Sequence, residues 1–252
     1  MSAKKLLYAT NIKSPTFDVL RDLLKIRDLG IDEVLLLSID PLEGLKKNLS
    51  GQGVNFRSFE KRALSSSGIL RMIKQEEVSF LAVHLDKKTK KNIESFLVKK
   101  IVKASRIPVL VINQIERYPG TEVPGMLEHV VFATDWSPES ESALRYLLGL
   151  KGIIRELEIV NVINDKLTVR DIRKLKERLS RTRKICLDQG IDAEIHIYAG
   201  ITSEEILTAV RDYKATAIIM GIRYKSIFNK FFSKNTSCHV VEETPVPTLV
   251  IP

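Results

Sequence analysis

The sequence predicts an α/β protein made of two similar domains, each a parallel sheet covered by helices. Two observations support this prediction. Short apolar strands alternate with amphipathic helices along the chain of 252 residues, which is the order found in doubly wound sheets. The chain also repeats itself, because Leu6–Asn11 returns as Val130–Asp135 and Pro108–Ile112 returns as Pro247–Ile251. A repeat longer than about 100 residues has the length of a domain, not of a solenoid unit.

The first copy is predicted to contain five strands and three helices. Unbroken apolar runs such as Val34–Leu37 suit parallel strands that are covered on both faces. No element is predicted within Pro41–Ser50. The predicted strands are Lys5–Ala9, Glu33–Ile39, Val54–Phe59, Val78–His84 and Pro108–Ile112, and the predicted helices are Thr16–Leu29, Ser65–Lys74 and Lys91–Ala104.

The second copy follows the same order but is longer in its interior. Part of the extra length is a helix before Gly190, in which Ile172, Leu175, Leu179 and Cys186 recur at helical spacing. The predicted strands are His129–Thr134, Glu158–Ile163, Ala193–Tyr198, Ala215–Gly221 and Pro247–Ile251, and the predicted helices are Pro138–Leu150, Val169–Gln189, Ser203–Tyr213 and one from about Thr236. Two prolines and two glycines within 113–125 predict a linker. We therefore expect domains at 1–113 and 127–252, joined by residues 114–126.

Composition excludes several classes of protein. Hydrophobic residues make up 44% of the chain, and no apolar run approaches the roughly 20 residues that cross a bilayer. The apolar stretch after Met1 is too short for the core of a signal peptide. Cys186 and Cys238 lack metal-ligand spacing and are expected to be reduced, partly buried thiols. A cytoplasmic protein is the expectation.

The net charge is +9, and much of it lies in the segment 170–184 and among the lysines of 87–103. Such a surface could attract nucleic acid or an anionic membrane. No aromatic residues are interleaved with these charges, however, and solvated helix faces are the favoured interpretation.

The pattern resembles the universal stress protein family in its tandem two-domain form. The resemblance rests on Phe132–Asp135 followed by Ser137 and the helix carrying Ala143, on the strand ending Val160–Val162, and on the closing segment Thr244–Ile251. It implies two Rossmann-like, five-stranded domains that form an intramolecular pseudo-dimer through their fifth strands. It also implies a non-enzymatic stress-response or signalling protein that could bind ATP or AMP.

The phosphate-binding motif of that family is degenerate here. The family has a glycine, two residues, a second glycine, nine residues, then a glycine followed by serine or threonine. Laid on this chain, the first glycine is Gly221, but the second falls on Tyr224, the third on Lys234 and the hydroxyl residue on Asn235, with Thr236 one residue late. Side chains at these positions disfavour the close backbone approach that polyphosphate needs. The first copy lacks the motif, with Asn11 and His84 at the positions of Asp135 and Gly221.

The resemblance therefore places any nucleotide in the second domain, with Asp135 and Val162 flanking the adenosine. The candidate nucleotide-binding residues are Ala133, Thr134, Asp135, Val162, Met220, Gly221, Arg223, Lys234, Asn235 and Thr236. Each main candidate also has a structural interpretation. Asp135 could cap the following helix together with Ser137, and Gly221 could be a turn glycine. Arg223 and its neighbouring lysines could simply form a basic, solvated loop.

No catalytic group and no metal site emerge from the sequence. His84 and His196 are expected to be structural, and His129 and His239 have no evident Asp or Ser partner. Two alternatives to nucleotide signalling stay open. One is an interaction scaffold that docks a protein through Phe228, Phe231 and Phe232; the other is a nucleic-acid or membrane-surface binder that uses the helix 170–184. Further homodimerisation is also open.

Overall fold

The computed structural model describes residues 4–13, 15, 17–25, 30–51, 53–85, 91–112, 125–164, 166–222 and 236–252. The chain divides into two compact units, Met1–Gly120 and Thr121–Ile251. Most of the predicted linker lies outside the described residues, and the boundaries at 113 and 127 stay a prediction.

The first unit is a parallel five-stranded sheet within the described residues, with strand order β3-β2-β1-β4-β5. The central strands β1, β2 and β4 are buried along nearly their whole length, as unbroken apolar runs predict. The elements are β1 Lys4–Thr10, α1 Phe17–Lys25, β2 Ile31–Ser38, α2 Glu43–Gly51, β3 Asn55–Glu60, α3 Ser66–Gln75, β4 Phe80–His84, α4 Lys91–Ala104 and β5 Val109–Ile112.

Helix α2 is a difference from the sequence prediction, which left Pro41–Ser50 without an element. It has only 9 residues, and two of them are glycines, which are poor helix formers. Its formation follows from tertiary packing, because Leu45 and Leu49 lie one turn apart on one face and are both buried.

The second unit repeats this topology, with parallel strands in the order β10-β9-β6-β7-β8. The α/β class and the doubly wound sheet are thus confirmed for each unit. The elements are β6 His129–Ala133, α5 Pro138–Leu148, β7 Glu156–Ile163, α6 Val169–Asp188, β8 Asp192–Ala199, α7 Thr202–Asp212, β9 Ala217–Gly221, α8 Thr236–Glu243 and β10 Thr248–Ile251.

Side-chain caps fix where several helices begin. Ser137 accepts a hydrogen bond from the backbone N–H of Ser140, with Pro138 at the first helical position of α5. Helix α6 begins with a capping box, in which Thr168 and Asp171 each accept a hydrogen bond from the other's backbone N–H. The predicted cap at Ser137 is confirmed.

Both cysteines are buried and form no disulfide, in agreement with the sequence prediction. Burial raises the pKa of the Cys186 thiol to about 11, so the thiol stays protonated and unreactive at neutral pH. Among the described helices, none is long and apolar enough to cross a bilayer.

A buried polar pair distinguishes the first core from the second. The Tyr8 hydroxyl donates to Nδ1 of His84 across 2.7 Å, and both residues are buried. Burial also raises the pKa of the Tyr8 hydroxyl. At the equivalent positions the second unit has Phe132 and Gly221, so its phenyl ring needs no polar partner. The aromatic residue of the first strand therefore carries a hydroxyl only in the unit whose fourth strand ends in a histidine.

Replacing Tyr8 by Phe should therefore destabilise the protein by about 1–2 kcal/mol, because a buried imidazole nitrogen loses its hydrogen-bond donor. Urea unfolding monitored by circular dichroism measures the change. The reciprocal Phe132→Tyr substitution should also destabilise, since the new hydroxyl meets no imidazole. An unchanged unfolding midpoint in Tyr8→Phe would show that the hydrogen bond contributes nothing.

Candidate functional site

The carboxyl edge of the second sheet is the site that the topology favours. Strand β6 lies between β7 and β9, and the chain winds from β6 first towards β7 and later back to β9. Ligands in open α/β sheets bind at such a switch point, beyond the carboxyl ends of the strands. Here the side-chain amide of Asn161, on β7, donates to the carbonyl oxygen of Thr134 across 2.7 Å. This bond fixes the chain as it leaves β6.

A tight turn, 134–137, joins β6 to α5. Trp136 has φ of +53°, a left-handed conformation that is uncommon for a side chain of this size. Its backbone N–H donates to the hydroxyl of Thr134 across 3.2 Å. The same contact recurs in the first unit, where the N–H of Ile12 donates to Thr10 across 3.1 Å. The turn is therefore part of the repeated fold and does not itself mark a ligand site.

Asp135 is tied to the start of α5. Its Oδ1 accepts hydrogen bonds from the backbone N–H of Ser137 at 2.9 Å and from the hydroxyl of Ser140 at 3.0 Å. The capping interpretation of Asp135 is therefore confirmed. The side chain is nevertheless exposed, so the carboxylate can also meet a ligand.

Asp135 and Val162 line the same hollow, which has a volume of about 330 Å³. The two residues that the family resemblance predicts beside adenosine thus lie together at the switch point. Helix α6 forms another wall of the hollow. The lining residues are Asp135, Trp136, Asn161, Val162, Ile163, Asn164, Leu167, Asp171, Lys174, Leu175 and Arg178.

The other candidate residues are distributed differently. Met220 is buried and packs in the core with Val131 and Val160, and Ala133 packs against the same cluster. Thr134 is buried at the start of the turn. Thr236 begins helix α8, as predicted. Arg223, Lys234 and Asn235 lie outside the described residues, as do Tyr224, Phe228, Phe231 and Phe232.

Gly221, at the end of β9, is in close contact with the first turn of α5. A Cβ at this position would lie 2.4 Å from the carbonyl carbon of Glu139 and 2.5 Å from the backbone nitrogen of Ser140. Only a residue without a side chain allows this approach. The glycine thus has a packing reason that neither the turn nor the phosphate interpretation anticipated.

Comparison with known proteins identifies the family. The model described as the universal stress protein family matches residues 126–252, about half of the chain. The chain belongs to the universal stress protein family. A comparison with curated proteins gave no match.

Solved structures that align with nearly the whole chain share the fold. A universal stress protein from Archaeoglobus fulgidus DSM 4304 is 21% identical, with a TM-score of 0.68 over 99% of this chain and 98% of that one. A functionally unknown protein from Pseudomonas aeruginosa PAO1 is 15% identical, with a TM-score of 0.69 over 99% of this chain and 92% of that one. Another universal stress protein from Archaeoglobus fulgidus, solved in complex with dAMP, is 21% identical and covers 50% of this chain and 99% of its own, with a TM-score of 0.41.

The first unit of this universal stress protein lacks the same site. Asn11 stands in place of the acidic Asp135, and His84 in place of Gly221. The His84 ring is buried and hydrogen-bonded to Tyr8. The fourth strand therefore ends in a buried imidazole in the first unit. In the second unit it ends in a glycine that lets the backbone of α5 approach closely.

A polar cluster in the second unit escaped the sequence prediction. Glu158 is 8% exposed and lies on β7, between His129 on β6 and His196 on β8. His129 Nε2–H donates to one carboxylate oxygen at 2.8 Å, and His196 Nε2–H donates to the other at 2.5 Å. The hydroxyl of Tyr213 donates to His196 Nδ1 at 2.9 Å. His129 thus has an acidic partner, which the sequence had not revealed.

The cluster is a structural network, because it satisfies a carboxylate that is buried between two apolar neighbours in the strand. Leu157 and Ile159, on either side of Glu158, are buried. A charge between two apolar residues of a strand was the available signal, but its partners come from two other strands. A buried carboxylate is costly without such hydrogen-bond partners.

Glycine 221 provides the first test of this site. Gly221→Ala should destabilise the second unit by about 1–3 kcal/mol, because the new methyl group displaces the first turn of α5. Thermal and urea unfolding measure the change. Gly44→Ala is the control, since Gly44 lies in helix α2 with nothing within 4 Å of a new Cβ, and it should be neutral or stabilising. Equal stability of the two variants would contradict the close approach at Gly221.

Glu158 provides the second test. Glu158→Gln should cost about 1–3 kcal/mol of stability, because an amide cannot accept a hydrogen bond from both histidines. The matched control is Glu194→Gln, on the neighbouring strand directly opposite Glu158. Glu194 is exposed and pairs with Arg183 at 3.2 Å, so its loss should change stability by less than about 0.5 kcal/mol. Urea unfolding at neutral pH measures both changes in stability. Equal losses of stability for Glu158→Gln and Glu194→Gln would contradict the network.

Proposed function

We propose that this universal stress protein is a cytoplasmic stress-response or signalling protein that catalyses no reaction and binds an adenine nucleotide weakly in its second unit. The supporting observation is the hollow at the switch point, where Asp135 and Val162 lie together. A carboxylate there can accept hydrogen bonds from ribose hydroxyls, and an apolar strand residue can pack against a base.

The expectation of weak binding follows from the phosphate motif. Only Gly221 of the three glycines is present, and a Cβ at this position would overlap the backbone of α5. Tyr224 and Lys234 stand where the motif needs backbone without side chains. Contacts of Arg223, Lys234, Asn235 and Thr236 with phosphates stay predictions. The nucleotide of the proposal is ATP or AMP, and the first unit binds neither, since Asn11 and His84 replace the acidic and glycine positions.

We also propose that the two units pair through their fifth strands. Support comes from each unit by itself, because β5 and β10 each lie at one edge of their own sheet and consist of apolar residues apart from Thr248. An uncovered apolar edge strand would be prone to aggregation. Further homodimerisation through other surfaces is a separate proposal.

A nucleotide-independent scaffold is the second candidate function. It is favoured by the fact that Asp135 and Gly221 each have a structural reason to be present, as a cap and as a packing contact. A third candidate, a basic surface that binds nucleic acid or an anionic membrane, is favoured by the exposed basic residues of α6. Steep weakening of binding with salt would support that third candidate.

The experiment that tests the proposal is thermal unfolding with ATP, AMP and cyclic AMP. A nucleotide at about ten times its Kd should add about 1.4 kcal/mol of stability. Asp135→Asn should abolish this gain, because the charge that meets the ribose is lost. It should preserve the stability of the free protein, because the amide oxygen can still accept hydrogen bonds from the backbone N–H of Ser137 and the hydroxyl of Ser140.

The matched control is Asp192→Asn, at the amino end of β8 and thus at the opposite edge of the same sheet. It should keep the full stabilisation by nucleotide. If no nucleotide raises the unfolding temperature of the unmodified protein, the nucleotide proposal is wrong and the scaffold becomes the favoured function.

A further inference from the structure

One face of α6 lines the hollow. Asp171, Lys174, Leu175 and Arg178 follow the spacing i, i+3, i+4 and i+7, which places them on a single side of the helix. The corresponding helix α2 of the first unit has 9 residues, whereas α6 has 20. Helix α6 is therefore longer than its counterpart in the first unit.

The two carboxylates of the hollow are already hydrogen-bonded to nearby donors. Oδ2 of Asp171 accepts from the hydroxyl of Thr168 at 2.6 Å and from its backbone N–H at 3.1 Å. These bonds, together with the charge of Lys174, lower the pKa of Asp171. Asp135 is bonded in the same way to the start of α5. Both acidic groups therefore serve as helix caps.

Of the two cations of the hollow, Lys174 acts electrostatically on Asp171, but it forms no close ion pair with it. Neither Lys174 nor Arg178 has an ion pair with another residue in the described part of the chain. The guanidinium of Arg178 lies over the ring of Trp136, 5.7 Å from its centre. Stacking on an aromatic face orients a guanidinium while leaving its N–H edge available for an anion.

We propose that Lys174 and Arg178 hold the phosphate of a nucleoside monophosphate, so that helix α6 replaces the degenerate loop after Gly221 as the anion contact. This inference rests on the proposed nucleotide function and specifies its ligand. Asp135 then accepts from the ribose, Val162 packs against the base, and the phosphate meets the two cations. The hollow of 330 Å³ is near the lower end of the usual range of about 300–1,000 Å³ for ligand sites, which fits a ligand with a single phosphate.

The test compares adenosine with AMP by isothermal titration calorimetry on the full chain. The unmodified protein should bind AMP about tenfold more tightly than adenosine, since a charge-assisted phosphate contact is worth a factor of this order. The double variant Lys174→Gln/Arg178→Gln should bind both ligands with nearly equal affinity, and its affinity for adenosine should change by less than about twofold. Both side chains are exposed, so the variant should fold, which circular dichroism checks.

The control is Lys176→Gln/Arg181→Gln. These residues line a different hollow on another face of α6, beside Val169 and Ile172. The change removes the same charge from the same helix, so it should keep the preference for AMP. It therefore separates a contact with phosphate from a general effect of the basic surface.

The outcomes distinguish this inference from the function on which it rests. If Lys174→Gln/Arg178→Gln keeps the preference for AMP, or if both double variants lose it equally, the assignment of the phosphate to these two residues is wrong while nucleotide binding stands. If the unmodified protein binds neither adenosine nor AMP, the proposed function fails, and this inference fails with it.

Discussion

The close approach of α5 to Gly221 is the contact on which the second unit's site depends. The backbone of Glu139 and Ser140 lies where any side chain at position 221 would begin, so β9 and the start of α5 can meet only at a glycine. This contact sets where the turn 134–137 leaves β6, and with it the position of Asp135. The first unit has an imidazole at the same strand end, and the imidazole is hydrogen-bonded within its own core. The two units thus differ at this position: Gly221 allows contact with a helix backbone, whereas His84 places a side chain there.

The charges around the hollow are organised by helix termini. Asp135 and Asp171 each lie at the start of a helix, where backbone N–H groups need acceptors and the helix dipole favours an anion. Their hydrogen bonds show that both are used in this way. Lys174 and Arg178 lie further along α6. The charge of Lys174 acts on Asp171, but neither cation has a close ion pair among the described residues. The hollow has two negative and two positive side chains, so its formal charges cancel. The carboxylates are hydrogen-bonded to nearby donors, whereas the cations have no close ion pair in the part of the chain that the structure describes, and this difference favours an anionic ligand.

Much of the fold could be predicted from the sequence because its signals are local. The apolar strands, the cap at Ser137 and the repeated segments each predict their element directly, and the strands that were predicted all form. Helix α2 could not be predicted in this way, because its stability comes from burying Leu45 and Leu49 and not from helix propensity. The partners of Glu158 were also hidden, since they come from β6 and β8. Asp135 and Val162 were predicted as a pair through the resemblance to the family, and they meet because the carboxyl ends of adjacent parallel strands lie together.

The basic segment 170–184 shows why charge alone could not locate the site. In the sequence it is one cluster, which suits nucleic acid, a membrane or solvent equally well. The helical period divides it, so that Lys174 and Arg178 line the hollow with Asp135 while Arg173, Lys176 and Arg181 line another face. Long-range attraction depends on the sum of all these charges, whereas recognition of a phosphate depends on the few that converge on it. A net charge of +9 therefore does not by itself imply a polyanionic partner, because part of it can serve a small anion bound within one unit.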